Sequence, residues 1–127
     1  MATHVISVGE LEDVKEAGAT ASTPGCPMSG LLETLTRPWT FHIIWQLSTW
    51  GAMRFGALRR AITGISPRLL TVRLRALEAE GFVRRTVIGG KMPEVTYAPT
   101  TRLAEMETVM EKLHGLSVKW NREDLGR

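Results

Sequence analysis

Arg68, Thr71, Val72 and Arg75 are the side chains of this 127-residue chain best suited to recognise a partner. At about 100° per residue they gather on one face of a helix over residues 66–80. Two guanidinium forks can bond bidentately to guanine or reach phosphate, and the methyl groups of Thr and Val suit the methyl of thymine. By itself such a face is equally the wetted side of an ordinary amphipathic helix, so its surroundings have to decide.

Those surroundings are cationic. Residues 54–91 hold Arg54, Arg59, Arg60, Arg68, Arg73, Arg75, Arg84, Arg85 and Lys91, opposed only by Glu78 and Glu80. The whole chain has a formal charge of only +3, because residues 1–26 carry Glu10, Glu12, Asp13 and Glu16 against Lys15. A local excess this large around a single helix is the electrostatic footprint of a polyanion partner, and double-stranded DNA fits it best. A membrane role is not expected, since no apolar run is long enough to span a bilayer.

Other chemistries find little support. His4, His42 and His114 are scattered, and neither HExxH nor CxxC occurs, so no metal site and no Cys/His dyad is indicated. No phosphate-cradling loop is present, Gly89-Gly90 reads as a hairpin turn, and Glu105, Glu107 and Glu111 read as a solvated helix face. We therefore expect no enzyme activity and no cofactor. The one reactive candidate is Cys26, whose place just before a helix favours the thiolate; the alternative is a small buried packing group. A lone cysteine and an amino terminus without a secretory pattern suit a reducing cytoplasm.

The elements that must position these residues follow from pattern. Residues 1–25 read as a flexible tail, 26–121 as one domain and 122–127 as a second tail. A first helix begins near Pro27 to Ser29 and carries Leu31, Leu32 and Leu35; a second opens at Pro38, capped by Thr36 or Arg37, and runs to about Trp50. Ile43, Ile44 and Leu47 are its core candidates, and at least one of Trp39, Trp45 and Trp50 is expected to be lost into a core or a dimer contact. After an extended piece at 53–55, a third helix over 56–62 buries Leu58 and Ile62, and Thr63-Gly64-Ile65 leads into the cationic helix. Ser66 is its N-cap, Pro67 its first residue and Gly81 its left-handed stop, with Leu70, Leu74 and Leu77 on its packing side. Helix, short Gly-containing turn, helix is the helix-turn-helix order.

Beyond it, residues 82–88 and 94–98 form a β-hairpin that adds Arg84, Arg85 and Lys91 as a cationic wing. A last helix, capped by Thr100 or Thr101 and reaching Trp120, carries Leu103, Met106, Met110, Leu113 and Trp120 at spacings of three and four. We expect that stripe, with Leu31, to form a dimer interface. The fold class is thus mainly α with a small β-hairpin, a winged helix-turn-helix dimerising through its terminal helices.

Over residues 26–120 the chain resembles the HxlR-type regulators, winged helix-turn-helix transcription factors of MarR-like architecture. Cys26-Pro27, Trp39 with Ile43-Ile44, Arg54-Phe55 with Leu58, and Gly64-Ile65-Ser66 carry the likeness. So do Leu70, Leu74, Leu77, Glu78, Gly81-Phe82-Val83, Arg85 and Tyr97. Pro38, Ala57, Pro99 and Leu103 depart from the usual pattern. The resemblance implies a homodimer that reads an inverted repeat with Ser66, Pro67, Arg68, Thr71, Val72 and Arg75 in the major groove, helped by Arg54, Arg84, Arg85 and Lys91. It also implies repression, relieved by oxidants or electrophiles acting on Cys26; a small effector in a pocket lined by the Trp residues and the last helix is a second route, with no ligand identity given by composition. The competing reading is a winged-helix interaction module that does not read DNA sequence.

Overall fold

The computed structural model describes residues 26–126, which divide at Arg37/Pro38 into two units. The described part of the first unit is one short helix, α1 (Ser29–Leu35), preceded by a turn at Cys26. Thr34 and Leu35 are its buried positions, while Met28, Leu31 and Leu32 are exposed.

The second unit holds everything else. α2 (Thr40–Trp50) starts later than the position of Pro38 suggests. Pro38 is not its first residue; the chain turns through Trp39, which has a positive φ of 74°, and the Trp39 carbonyl accepts from the Ile43 N–H at 3.1 Å. A bulky residue in that backbone region costs free energy and persists only where its surroundings hold it. Here the Trp39 ring lies 5.1 Å from that of His42 and covers Gly64. Ile43, Ile44 and Leu47 form the fully buried face of α2.

A two-residue strand β1 (Met53–Arg54) leads into α3 (Phe55–Ala61), where Leu58 is buried and Arg59 and Arg60 are exposed. The connection through Gly64, with φ +100°, ends at buried Ile65. It leads into α4 (Pro67–Ala79), whose Ser66 hydroxyl accepts the Leu69 N–H at 3.1 Å while Pro67 occupies the first turn without losing a bond. The helix stops at Gly81, φ +82°, where the Phe82 N–H reaches the Leu77 carbonyl at 2.9 Å. Leu70, Leu74 and Leu77 point into the core, each about 1% exposed or less.

β2 (Val83–Ile88) and β3 (Glu94–Pro99) form the wing, with Arg85 opposite Tyr97 and Val87 opposite Val95. The sheet has a third member that the hairpin pattern did not reveal. β1 pairs antiparallel with β3, Met53 opposite Tyr97 and Arg54 opposite Thr96, giving the order β1-β3-β2.

The terminal helix is not continuous. α5 (Thr101–Ala104) is capped by Thr100, whose hydroxyl donates to the Gly81 carbonyl at 2.6 Å, and a turn at Glu105 and Met106 separates it from α6 (Glu107–Leu125). α6 runs past Trp120 to Leu125, through residues read from the sequence as the start of a tail. Two residues expected at a dimer interface, Leu103 and Met110, are 0% and 5% exposed in the single chain and belong to its own core. The break accounts for this: α5 turns Leu103 inward, and the start of α6 packs Met110 on the domain, with His114 still stacked on Trp45 one turn further along.

Candidate nucleic-acid interface

The three leucines of α4 decide what the opposite side can do. With Leu70, Leu74 and Leu77 held in the core, a 3.6-residue repeat presents Arg68, Val72 and Arg75 to solvent. Among the described residues neither Arg68 nor Arg75 is engaged in an ion pair, so both guanidinium forks keep their donors available. Thr71 is half-buried and spends its proton inside the helix, donating to the Pro67 carbonyl at 2.9 Å. That leaves its methyl and its oxygen lone pairs for a partner. Arg73 lies on another side of the helix, where its Nε donates to the Pro38 carbonyl at 2.8 Å.

Between α4 and the sheet lies an open groove of about 430 Å³ bordered by Thr71, Arg75, Arg85, Arg54, Glu94 and Tyr97. Three arginines that are far apart in sequence therefore share one depression. Arg54 comes from β1, Arg75 from α4 and Arg85 from β2, and buried Tyr97, opposite Arg85 on the central strand, also borders the depression. The two remaining wing cations are placed differently: Arg84, opposite Ala98, and Lys91, in the hairpin loop, are exposed and do not border the groove.

Glu94 is the member that sequence reasoning passed over. Its Oε2 lies 2.9 Å from Arg54 Nη2. Only the recognition that residues 53–54 are a strand paired with β3 would have suggested that these two side chains meet. Phe55 also borders the groove and was read from the sequence only as part of a motif.

The other candidate residues sit elsewhere. Cys26 is exposed, and hydrogen bonding from the Ser29 hydroxyl, then from the Met28 backbone, holds its thiol below the ordinary value. Along α6, Leu113 and Trp120 are 45% and 54% exposed, with Val109, Leu116 and Val118 similarly uncovered, and Met106 is half-buried. An apolar depression of about 270 Å³ lies between α2 and α6, where the Trp45 and His114 rings stack at 4.8 Å. None of the three tryptophans of the α2 region is fully buried: Trp39 and Trp45 are half-buried and Trp50 is 71% exposed. No described helix is long and apolar enough to cross a membrane.

A capped helix with an outward cationic face, preceded by a helix and a tight turn and flanked by a three-stranded sheet with a projecting hairpin, defines the winged helix-turn-helix class of DNA-binding proteins. The family follows from direct comparison. Residues 34–125 match the family model for the HxlR-like helix-turn-helix, and the chain belongs to that family. An uncharacterized HTH-type transcriptional regulator of Synechocystis is 34% identical over 95 residues, covering 75% of this chain and 70% of the relative. Among solved structures, the redox regulator HypR in its reduced form superposes with a TM-score of 0.69 at 29% identity, covering 80% of this chain and 98% of HypR. The reduced transcriptional regulator YodB from Bacillus subtilis does so with a TM-score of 0.63 at 28% identity, over 71% of this chain and 88% of YodB. The chain is a transcriptional regulator of the helix-turn-helix type.

Proposed function

We propose that this regulator binds an inverted-repeat operator as a homodimer, each subunit laying α4 in the major groove and its wing on the flanking backbone. The observation that carries this reading is the exposed Arg68, Val72 and Arg75 face beside the three-arginine groove. Base edges would meet Arg68, Thr71, Val72 and Arg75, with Ser66 and Pro67 at the helix start nearest the DNA. Arg54, Arg84, Arg85 and Lys91 would meet phosphates. Two half-sites separated by one helical turn, about 34 Å, match a two-fold pair of such helices.

The apolar surface of α6 supports pairing, because Val109, Leu113, Leu116 and Trp120 leave an uncovered stripe on a 19-residue helix. On this helix the interface consists of those residues with Met106, while Leu103 and Met110 act from behind as core; Leu31 of α1 is a separate candidate. The bound state would repress transcription, and oxidation or alkylation of Cys26 would relieve it. Support for the switch is the exposed thiol, its lowered proton affinity and the likeness to two proteins described as a redox regulator and in a reduced form. An unpaired, reactive thiol suits a reducing compartment such as the cytoplasm.

Selection of bound fragments from genomic DNA by the purified protein, with and without diamide, tests the operator and the switch together. Enrichment of one inverted repeat, lost on diamide treatment and retained by Cys26→Ser under diamide, is the expected result. Enrichment without any sequence in common would overturn specific reading, and enrichment indifferent to diamide would remove the switch alone.

A further inference from the structure

Within the α4–sheet groove one cation is already occupied. Arg54 Nη2 is 2.9 Å from Glu94 Oε2, whereas Arg75 and Arg85 have no carboxylate partner among the described residues. Among the described residues, Glu94 is also the only acidic side chain bordering the groove. The pair is not there for stability to any useful extent: its side chains are 67% and 48% exposed, and ion pairs this open to water contribute little to folding. Its position matters more, because the carboxylate already engages one of the cations assigned to phosphate above.

We propose that Glu94 is an internal competitor for DNA phosphate that holds Arg54 in the free protein and thereby lowers affinity for DNA of any sequence. The proposal rests on the DNA-binding reading above and deepens it. When a duplex arrives, Arg54 exchanges one anionic partner for another, so the contact brings almost no net gain, and the released Glu94 carboxylate is left close to the phosphate backbone. Because a phosphate contact carries no sequence information, the loss falls on operator and unrelated DNA alike, and Glu94 is on this view a residue that tunes overall affinity without touching a base.

The test uses a labelled random-sequence duplex of about 30 base pairs and the full-length protein, titrated between low and moderate salt. Glu94→Gln keeps the shape of the side chain and removes its charge. The expected result is roughly fivefold tighter binding near 0.1 M salt, as one unit charge close to a phosphate implies, and a plot of log affinity against log salt steeper by about one. In the Arg54→Ala background, the same Glu94→Gln change should give a clearly smaller gain, because only the direct repulsion between carboxylate and phosphate is left to relieve. Equal gains in both backgrounds would show only the general loss of a negative charge and would overturn the proposal. Unchanged or weaker binding by Glu94→Gln would overturn it as well. If the wild-type protein binds no duplex at any salt, the DNA reading itself fails, an outcome distinct from these three.

Discussion

Arg73 Nε donates to the Pro38 carbonyl at 2.8 Å, a hydrogen bond that ties the middle of α4 to the turn before α2 across 35 positions of sequence. The same turn is held from the other side, because the Trp39 ring covers Gly64 in the connection that delivers the chain to α4. The angle at which α4 presents Arg68 and Arg75 is therefore set partly by two contacts to Pro38 and Trp39, neither of which borders the α4–sheet groove.

Both contacts have measurable consequences. Arg73→Ala should lower stability by about 1 kcal/mol, the typical worth of such a hydrogen bond, and lower Tm by about 4 °C. Gly64→Ala should cost more, about 1–3 kcal/mol, because φ is +100° and the added Cβ would lie 3.3 Å from the Trp39 ring. Urea denaturation measures the two; an unchanged midpoint for Gly64→Ala would show that the turn relaxes without strain.

The α4 arginines and the wing lysine should differ in kind. Arg68→Ala and Arg75→Ala are each expected to reduce operator affinity by about 1–3 kcal/mol and to narrow the gap between operator and unrelated DNA. Lys91→Ala should weaken binding to all sequences alike and flatten the salt dependence by about one. Fluorescence anisotropy on both kinds of duplex separates these outcomes, and equal, small effects from all three would favour a protein-interaction module.

Pairing through α6 predicts that Leu113→Glu yields a folded monomer. The residue is exposed in the single chain, so the change leaves the core intact while placing a charge in the proposed interface. Sedimentation should report a shift from dimer to monomer with the same helical circular dichroism. A dimer that persists would move the interface elsewhere. Met110→Glu should instead unfold the protein, because that side chain is buried.

The Cys26 thiol titrates below its ordinary value chiefly because the Ser29 hydroxyl hydrogen-bonds its charged form. Alkylation by iodoacetamide requires the thiolate, so its rate should rise with pH to a plateau whose midpoint lies below that of a free cysteine. Ser29→Ala removes the largest contribution and should move the midpoint upward, slowing alkylation at neutral pH. Identical profiles for the two proteins would show that Ser29 does not poise the thiol.

Much of this molecule is written in short-range pattern. The cap at Ser66, Pro67 in the first turn, the leucine repeat of α4 and the stop at Gly81 are each local events governed by backbone sterics and by hydrogen bonds spanning a few residues, and they appear as expected. The hairpin and the outward set Arg68, Val72 and Arg75 follow for the same reason. Pairings between distant segments were not legible. A two-residue strand has no period, so the third strand and the meeting of Arg54 with Glu94 exist only once β1 lies against β3. Leu103 and Leu113 looked alike in a stripe of threes and fours, since periodicity reports which side of a helix is apolar and is silent on what covers it. The turn at Glu105 and Met106 made the distinction, sending one leucine into the core and leaving the other exposed.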